Sequence, residues 1–298
     1  MNLSKSLKGS VAAFIANAIF GFSFLFSKIA LNCASPLLIL SLRFTVAFLV
    51  LNILWIARIF KLNFRNRKIG KLIIMAMAQP LLYFILELYG IANTSSAMSG
   101  VIISLVPVAV IILSTLFLKE QSSRLQNIGS AVSLVAVGAI SLVSSNQGKS
   151  NLLGIILLIL AVICAAVFNI LSRSESARFS PFEKTYMMFL IGTIGFNLIA
   201  AVSLKGEFVP LVISALKSPQ FLVSLGYLSL LSSIGAFMLY NFATSAISTV
   251  RAASFANITT VVSLFAGVLI LKENLSFLQF VCCIFIILGV WLVNLKQN

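Results

Sequence analysis

Four charged residues lie inside apolar runs of this sequence: Lys28, Arg43, Glu87 and Arg251. A charge near the centre of a membrane helix costs about 2.5 to 3.5 kcal/mol on insertion scales, so such residues usually find a partner or serve a site. A buried cation can bind an anionic group, and a buried carboxylate can bind an amine or exchange a proton. These residue types favour the recognition of a polar solute.

The depth of these charges follows from a count along the predicted helices. At about 1.5 Å per residue, Arg43 lies about 10 Å and Glu87 about 6 Å below the outer membrane edge, while Arg251 lies about 6 Å inside the cytoplasmic edge. Lys28 is close to the outer end of the first helix and is expected to anchor it there. Arg43 and Glu87 are predicted to form an ion pair. Two interpretations of Glu87 stay open: it neutralises Arg43 or reaches the membrane surface, or it binds a substrate amine or exchanges a proton.

Uncharged polar residues and prolines extend the candidate site. Pro80 and Pro107 are predicted near the middle of their helices, where a proline removes one N–H donor and obstructs a backbone bond. Kinked helices at mid-membrane point to a binding site in repeat transporters. Glu120 and Glu273 end helices and are expected to be structural, accepting N–H bonds at the next helix start. The predicted cavity-lining residues are Asn17, Gln79, Tyr83, Asn169, Tyr240 and Asn257.

Enzyme chemistry is disfavoured by the composition. The chain has no His, and its six acidic residues are all Glu, so His-based general-base catalysis and His/Asp metal centres cannot be built. It has no GxxxxGK[ST] loop, so ATP is not expected to drive a cycle directly. The four cysteines lie in or beside apolar runs without metal-ligand spacing. We therefore expect neither enzyme activity, nor a cofactor, nor a metal.

The elements that must position these residues are membrane helices. The 298 residues are 60% hydrophobic and 9% charged, with a mean hydropathy of +1.13, which is typical of a polytopic membrane protein. Apolar windows of about 20 residues, the length that crosses a bilayer, recur along the whole chain. The predicted spans are 9–31, 36–59, 69–91, 94–118, 125–144, 151–173, 181–204, 219–244, 247–271 and 275–295.

The positive charge of the chain indicates its topology. A net charge of +15 would suggest nucleic acid as the partner of a soluble protein, but here the basic residues lie between hydrophobic spans. Most of them fall in segments that are cytoplasmic if both termini are cytoplasmic, as the positive-inside rule requires. The basic loop "IARIFKLNFRNRKIGK" is expected to anchor this orientation near anionic lipid. The bilayer of the cytoplasmic membrane is thus an expected partner, and nucleic acid is not.

An internal repeat sets the predicted architecture. "LKEQSSRLQ" at 118–126 aligns with "LKENLSFLQ" at 271–279, and the Ser-Pro pair at 35–36 aligns with the pair at 180–181. Each half, 1–146 and 147–298, thus carries five helices. Because five is odd, the second half must enter the membrane inverted. The predicted fold is an all-α membrane protein of ten transmembrane helices in two inverted five-helix repeats, the arrangement from which transporters build alternating access.

The chain also resembles a known family. "FGFSFLFSKIAL" followed by "SPLLILSLRF" resembles the opening of EamA-type, ten-helix members of the drug/metabolite transporter superfamily. "YGIANTSSAMSGVIISLVPVAVIILSTLFLKE" and its second-half echo "TSAISTVRAASFANITTVVSLFAGVLILKE" resemble the same family. The resemblance implies a membrane carrier of small metabolites, often an exporter. The chain departs from the pattern where Lys119 and Lys272 replace a small residue, where Phe20 replaces Trp, and where "NITTVV" lacks a proline.

The sequence therefore predicts a secondary transporter of a small metabolite, an amino acid or related zwitterion or anion. A cavity edged by Lys28, Arg43 and Arg251 suits a carboxylate, with a proton or counter-substrate as a coupling partner. One alternative is a proton-coupled exporter of cationic or lipophilic drugs, in which Glu87 exchanges the proton. Another is a membrane scaffold or lipid-interacting protein that transports nothing.

Overall fold

The computed structural model describes residues 4–65, 67–93, 102–103, 105–120, 122–143, 152–271 and 277–295. Every regular element in these ranges is a helix. Three π-helical segments, with wider turns, are Met77–Leu82, Ser114–Leu118 and Tyr227–Ala236, and two 3₁₀ turns are Glu175–Ala177 and Lys205–Glu207. The α-helices are α1 Lys5–Leu31, α2 Pro36–Ile56, α3 Gly70–Ala76, α4 Tyr83–Ala92, α5 Val106–Leu113, α6 Arg124–Val143, α7 Leu152–Ser174, α8 Pro181–Leu204, α9 Phe208–Leu216, α10 Pro219–Gly226, α11 Phe237–Ala246, α12 Thr249–Ser254, α13 Ala256–Leu271 and α14 Phe277–Asn294.

Six helical stretches in the described residues are long and apolar enough to cross a membrane, and each coincides with a predicted span. Two shorter apolar helices, Val106–Leu118 and Phe280–Asn294, fall within two further predicted spans. The chain is thus a multi-pass, all-helical protein, while the count of ten spans and the side of the termini stay predictions. The six stretches are Lys5–Leu31, Pro36–Ile56, Gly70–Gly90, Leu152–Ala177, Pro181–Leu204 and Pro219–Ala246.

Three of the long helices begin at a Ser-Pro pair. Proline suits the first turn of a helix, where its missing N–H has no intrahelical partner and its fixed φ is already helical. At α8 the Ser180 hydroxyl accepts from the N–H of Glu183, and the Glu183 carboxylate accepts from the N–H of Ser180. This reciprocal capping box fixes the start of α8. At α10 the Ser218 hydroxyl accepts from the N–H of Phe221.

An aromatic core joins the two halves of the chain. The ring of Phe44 on α2 stacks on Phe189 of α8 with 4.8 Å between centroids, and it lies 4.9 Å from the ring of Phe196. Gly192 permits this approach, because a Cβ there would lie 2.6 Å from the Phe44 ring. All three phenylalanines are fully buried. The core therefore places α2, and Arg43 with it, against the second half.

Helices α6 and α14 pack closely against each other. A Cβ at Gly129 would lie 2.6 Å from the carbonyl oxygen of Gly289, so the two backbones approach through small residues. The Ser133 hydroxyl also donates to the carbonyl of Ile286 across the pair. Small residues at such contacts are typical of helices packed in lipid, where close van der Waals packing drives association.

Two long helices lose regular geometry near their middle. Between α3 and α4, Gln79 has φ −146° and ψ 123°, values of an extended residue, directly before Pro80. Between α10 and α11 the π-helical segment Tyr227–Ala236 runs for 10 residues. The offset of 153 residues that aligns 118 with 271 also aligns Gln79 with Ser232 and Pro80 with Ser233. Irregular backbone thus occurs at matching positions of the two halves, and such backbone at membrane depth is tolerated where it is buried in protein or lines a cavity.

A short helix that the sequence patterns did not predict, α9, lies between α8 and α10. Its partly buried Phe208 and Val212 and its buried Ala215 pack against a cluster that includes Leu38 and Phe221. With 9 residues it is too short to span a bilayer. It covers the ends of α2 and α10 instead.

Candidate functional site

Arg43 is buried between α1, α2 and the π-helical segment 227–236. Its Nε donates to the hydroxyl of Ser233 at 2.7 Å, and its Nη2 donates to the hydroxyl of Ser232 at 2.9 Å. The Ser23 hydroxyl of α1 donates to that of Ser232 at 2.7 Å. We call these four residues, Ser23, Arg43, Ser232 and Ser233, the Arg43 cluster. It brings together both halves of the chain.

The guanidinium of the Arg43 cluster has neutral partners. Its Cζ lies 5.7 Å from the ring centroid of Phe84 and 5.9 Å from that of Phe44. Within the described part of the chain, no carboxylate oxygen lies within 4.0 Å of Arg43. An arginine has five N–H donors, and the two serines accept from two of its nitrogens. The geometry therefore leaves donors and a positive charge for an anionic group.

The predicted ion pair between Arg43 and Glu87 is not formed. Instead, Glu87 Oε1 accepts from the hydroxyl of Tyr83, one turn earlier on α4, at 2.8 Å. Helix counting placed the two residues at similar depths, but it could not give the direction in which each side chain leaves its helix. The result is a cation and a carboxylate that bond different partners and do not contact each other directly.

Two other candidate residues bond each other in the second half. The hydroxyl of Tyr240 on α11 donates to Asn169 Oδ1 of α7 at 2.7 Å, and Asn169 Nδ2 donates to the carbonyl of Ala165 in its own helix. Both side chains are buried. These side chains have hydrogen-bond partners within the protein, as buried polar groups usually do.

The remaining uncharged candidates lie on α1, α13 and the broken helix. Asn17 Nδ2 donates to the carbonyl of Ala13, and the Thr259 hydroxyl of α13 donates to the carbonyl of Asn17 at 3.1 Å. Asn257 is buried near the start of α13. Gln79 lies at the break between α3 and α4 and is partly exposed. Asn17 and its neighbours therefore connect α1 with α13.

The two prolines occupy different positions. Pro80 follows the irregular residue Gln79, in the middle of the long helix. Pro107 lies in the first turn of α5, after a turn at Leu105, where a proline is well tolerated. Sequence counting put both near helix centres, because the hydrophobic run 94–118 has no sign of a boundary at 105.

Arg251 does not join the Arg43 cluster. Its Nη2 donates to the carbonyl of Leu295, beyond the C-terminal end of α14, at 3.1 Å. A cation at the C-terminal end of a helix interacts favourably with the helix dipole and with unpaired carbonyls. The side chain of Lys28 and all of Glu273 lie outside the described residues.

Glu120 binds the start of a different helix from the expected one. Its Oε1 accepts from Arg173 Nε at 3.1 Å, and its Oε2 accepts from the N–H of Thr249, the first residue of α12, at 3.0 Å. Arg173 also donates to the carbonyls of Thr244 and Ser245. The carboxylate does accept a backbone N–H at a helix start, as predicted. That helix is α12 of the second half, because folding brings residues 118–120 close to Thr249.

Replacing Glu120 by alanine is expected to lower the unfolding temperature by several degrees. The change leaves Arg173 without its carboxylate and the Thr249 N–H without its acceptor, at a cost of about 1 to 3 kcal/mol for a half-buried pair. Thermal unfolding of the purified protein measures this. Glu207→Ala, at an exposed position, is the control. Equal unfolding temperatures for the two variants would show that the contacts of Glu120 with Arg173 and Thr249 do not stabilise the fold.

Two important groups of residues were missed by the sequence patterns. Ser232 and Ser233 hold Arg43, and the repeat offset that aligns them with Gln79 and Pro80 is the signal that points to them. Lys184 is one of the basic residues that the positive-inside rule assigns to a cytoplasmic segment, yet it is fully buried in the first turn of α8. It lies near the start of the predicted span 181–204, and nothing in the local sequence indicates that its side chain is buried.

The sequence profile of the EamA-like transporter family matches this chain twice, over residues 7–142 and 152–295. The two matches cover nearly the whole chain and lie on either side of the segment 144–151.

Several relatives have transporter names. A Bacillus subtilis protein called "Uncharacterized transporter YcxC" is 30% identical over 287 residues, which cover 94% of this chain and 90% of the relative. An Archaeoglobus fulgidus protein called "Uncharacterized transporter" is 24% identical, over 93% of this chain and 95% of its own length. A solved structure titled only "Crystal structure of protein" shares the fold, with a TM-score of 0.80 at 14% identity over 95% of both chains.

Proposed function

The chain belongs to the EamA-like transporter family, and from this premise we propose that it is a secondary transporter that carries a small zwitterionic or anionic metabolite, an amino acid or a related compound. Membrane transport is the activity to which the family and the named relatives point, and they give no indication of an enzyme. The substrate class is inferred from the Arg43 cluster. We propose that it exports this metabolite, because the chain resembles a family in which export is common.

The observation that carries the proposal is that the buried Arg43 guanidinium has only neutral partners among the described residues. A positive charge buried between helices of both halves is costly unless something binds it. Two serine hydroxyls are its hydrogen-bond acceptors, and neither is charged. A carboxylate is the group that matches a guanidinium best, because both are planar and can form two parallel hydrogen bonds.

A zwitterion suits both charges of the site. Its carboxylate would bind Arg43, and its ammonium group would face Glu87, whose Oε1 is held by the Tyr83 hydroxyl. Arg43 and Glu87 each bond a different neutral partner, so a ligand that carries both signs would pair with both charges. The neutral Ser23 and Ser232 hydroxyls add hydrogen-bonding groups beside the guanidinium.

The transport mechanism we propose is alternating access between two inverted halves, 1–146 and 147–298, with ten spans and both termini in the cytoplasm. Two features support it: the family profile matches the chain twice, and the irregular segments 77–82 and 227–236 occupy matching positions. Helices interrupted at mid-membrane in both halves are typical of a transporter binding site. The membrane is then the cytoplasmic membrane.

The proposal is tested by flux into vesicles. Purified protein reconstituted in lipid vesicles that are preloaded with unlabelled amino acids should exchange them for external radiolabelled amino acids. The initial rate should saturate with concentration, and protein-free vesicles provide the control. A rate that stays linear, equal to that of the protein-free vesicles, for zwitterionic and anionic solutes alike would refute the proposal and favour a scaffold that transports nothing.

A second candidate function, the proton-coupled export of cations, is favoured by one observation. Glu87 is not neutralised by Arg43 and is only partly buried, so its carboxylate is available to a cation. In that function Glu87 binds the cationic drug and the proton in turn. Variants of Arg43 separate the two functions, because metabolite transport requires the guanidinium and cation export does not.

A further inference from the structure

Lys184 is the most completely buried charged side chain in the described part of the chain, with no exposed surface. It lies in the first turn of α8, at the end of the bundle where α7 and α11 finish. No described carboxylate oxygen lies within 4.0 Å of its ammonium group. Its charge must therefore be stabilised by neutral groups.

Five oxygen atoms surround Lys184 Nζ. Two are backbone carbonyls, those of Ser172 at 2.9 Å and Asn241 at 3.0 Å. Three are hydroxyls, of Ser172 at 3.1 Å, Ser176 at 2.9 Å and Thr244 at 3.4 Å. We call these atoms the Lys184 cage. An ammonium group has three N–H donors, so the cage supplies more acceptors than hydrogen bonds alone require.

The cage is held in place by its own hydrogen bonds. The Ser172 hydroxyl is 2.8 Å from Asn241 Oδ1 and 2.8 Å from Thr244 Oγ1, and Asn241 Nδ2 donates to the Thr185 hydroxyl at 3.0 Å. These contacts connect α7, α8 and α11. A fixed shell of neutral oxygens around one position is the environment that a monovalent cation needs, whereas divalent cations usually require carboxylates as well.

We infer that the Lys184 cage is a monovalent-cation site whose resident cation is the protein's own ammonium group, and that this tethered cation holds the ends of α7, α8 and α11 together. The site belongs to the second half alone. The Ser-Pro alignment pairs Lys184 with Ile39, a buried apolar residue that needs no cage. The inference concerns a stability element and does not depend on the proposed substrate.

The experiment removes the resident cation and supplies a free one. Lys184→Ala leaves the oxygens in place and opens a space about the size of the lost side chain. The variant should unfold about 5 °C or more below the native protein, because five polar atoms lose their buried cation. Methylammonium chloride should restore at least half of that loss. Tetramethylammonium chloride at equal ionic strength has no N–H group and should restore nothing.

Lys184→Met is the matched control, since its side chain fills the space without a charge. It should also unfold early, and methylammonium should not stabilise it. Three results would overturn the inference. Lys184→Ala could unfold at the native temperature, or methylammonium could fail to stabilise Lys184→Ala. Methylammonium could also stabilise the native protein, Lys184→Met and Lys184→Ala equally.

A second set of variants applies if Lys184→Ala does not fold. Ser176→Ala and Thr244→Val each remove one cage hydroxyl and keep the lysine, so both should lower the unfolding temperature. Ser174→Ala is the control, because among the described residues its hydroxyl bonds the carbonyl of Leu171 in the same helix and no atom of the cage. If the control falls as far as the two cage variants, the cage has no special part in stability and the inference is wrong.

Discussion

Arg43→Gln is expected to bind a zwitterionic or anionic substrate about 100-fold more weakly than the native protein. The glutamine can still hydrogen-bond Ser232 or Ser233, but it removes the only positive charge of the Arg43 cluster. The loss of a buried charge-assisted contact to a carboxylate is worth about 3 kcal/mol, which corresponds to about 100-fold in affinity. Thermal shift with a titrated amino acid that stabilises the native protein measures this, since a ligand that binds only the folded state raises its apparent stability.

Arg251→Gln is the matched control for this result. Arg251 is also an arginine within an apolar run, but its partner is the carbonyl of Leu295 at the end of α14. Its loss should lower the unfolding temperature and leave the affinity nearly unchanged. If Arg251→Gln weakens binding as much as Arg43→Gln does, the site has been assigned to the wrong arginine.

Glu87→Gln is expected to weaken the binding of a zwitterion roughly 10- to 100-fold and to leave the binding of a simple carboxylic acid unchanged. The variant keeps the hydrogen bond with Tyr83 but removes the negative charge that faces the substrate ammonium. A hydrogen bond to a charged group is worth about 1.5 to 3 kcal/mol, from which the range follows. Thermal shift with an amino acid and with the matching acid that lacks the amino group gives the two affinities.

Tyr83→Phe provides the comparison for Glu87→Gln. It keeps the carboxylate and removes only the hydroxyl that orients it, so the affinity for the amino acid should fall less. The rival function predicts a different pattern, in which pH-driven efflux of a cationic dye is lost in Glu87→Gln and retained in Arg43→Gln. That pattern would exclude the metabolite proposal.

The sequence predicts the membrane helices well, because long apolar runs and Ser-Pro starts are local features. Pro36, Pro181 and Pro219 each begin a helix near a predicted boundary. The short helix Phe208–Leu216 was not predicted, because its 9 residues fall below the length of a membrane span. Local sequence patterns thus predict the long membrane helices, but not a helix that is too short to form an apolar run of spanning length.

The contacts of the candidate site depend on the folded chain. Depth along a helix could be counted, so Arg43 and Glu87 were placed at similar levels, but rotation about the helix axis decides which partner each side chain meets. Arg43 meets Ser233, 190 residues later in the chain, and Glu120 meets Thr249, 129 residues later. Lys184 lies near the end of a predicted span, where an exposed charge is expected, and only the packing of α7 and α11 around it buries its ammonium group.

The most direct test of the central claim is the saturable exchange of radiolabelled amino acids by vesicles that contain native protein, Arg43→Gln or Arg251→Gln at equal protein density. The account predicts saturable exchange by the native protein, a similar KM for Arg251→Gln, and a KM about 100-fold higher for Arg43→Gln. Saturable exchange with the native KM in Arg43→Gln would contradict it, because the substrate would then be recognised without the buried guanidinium.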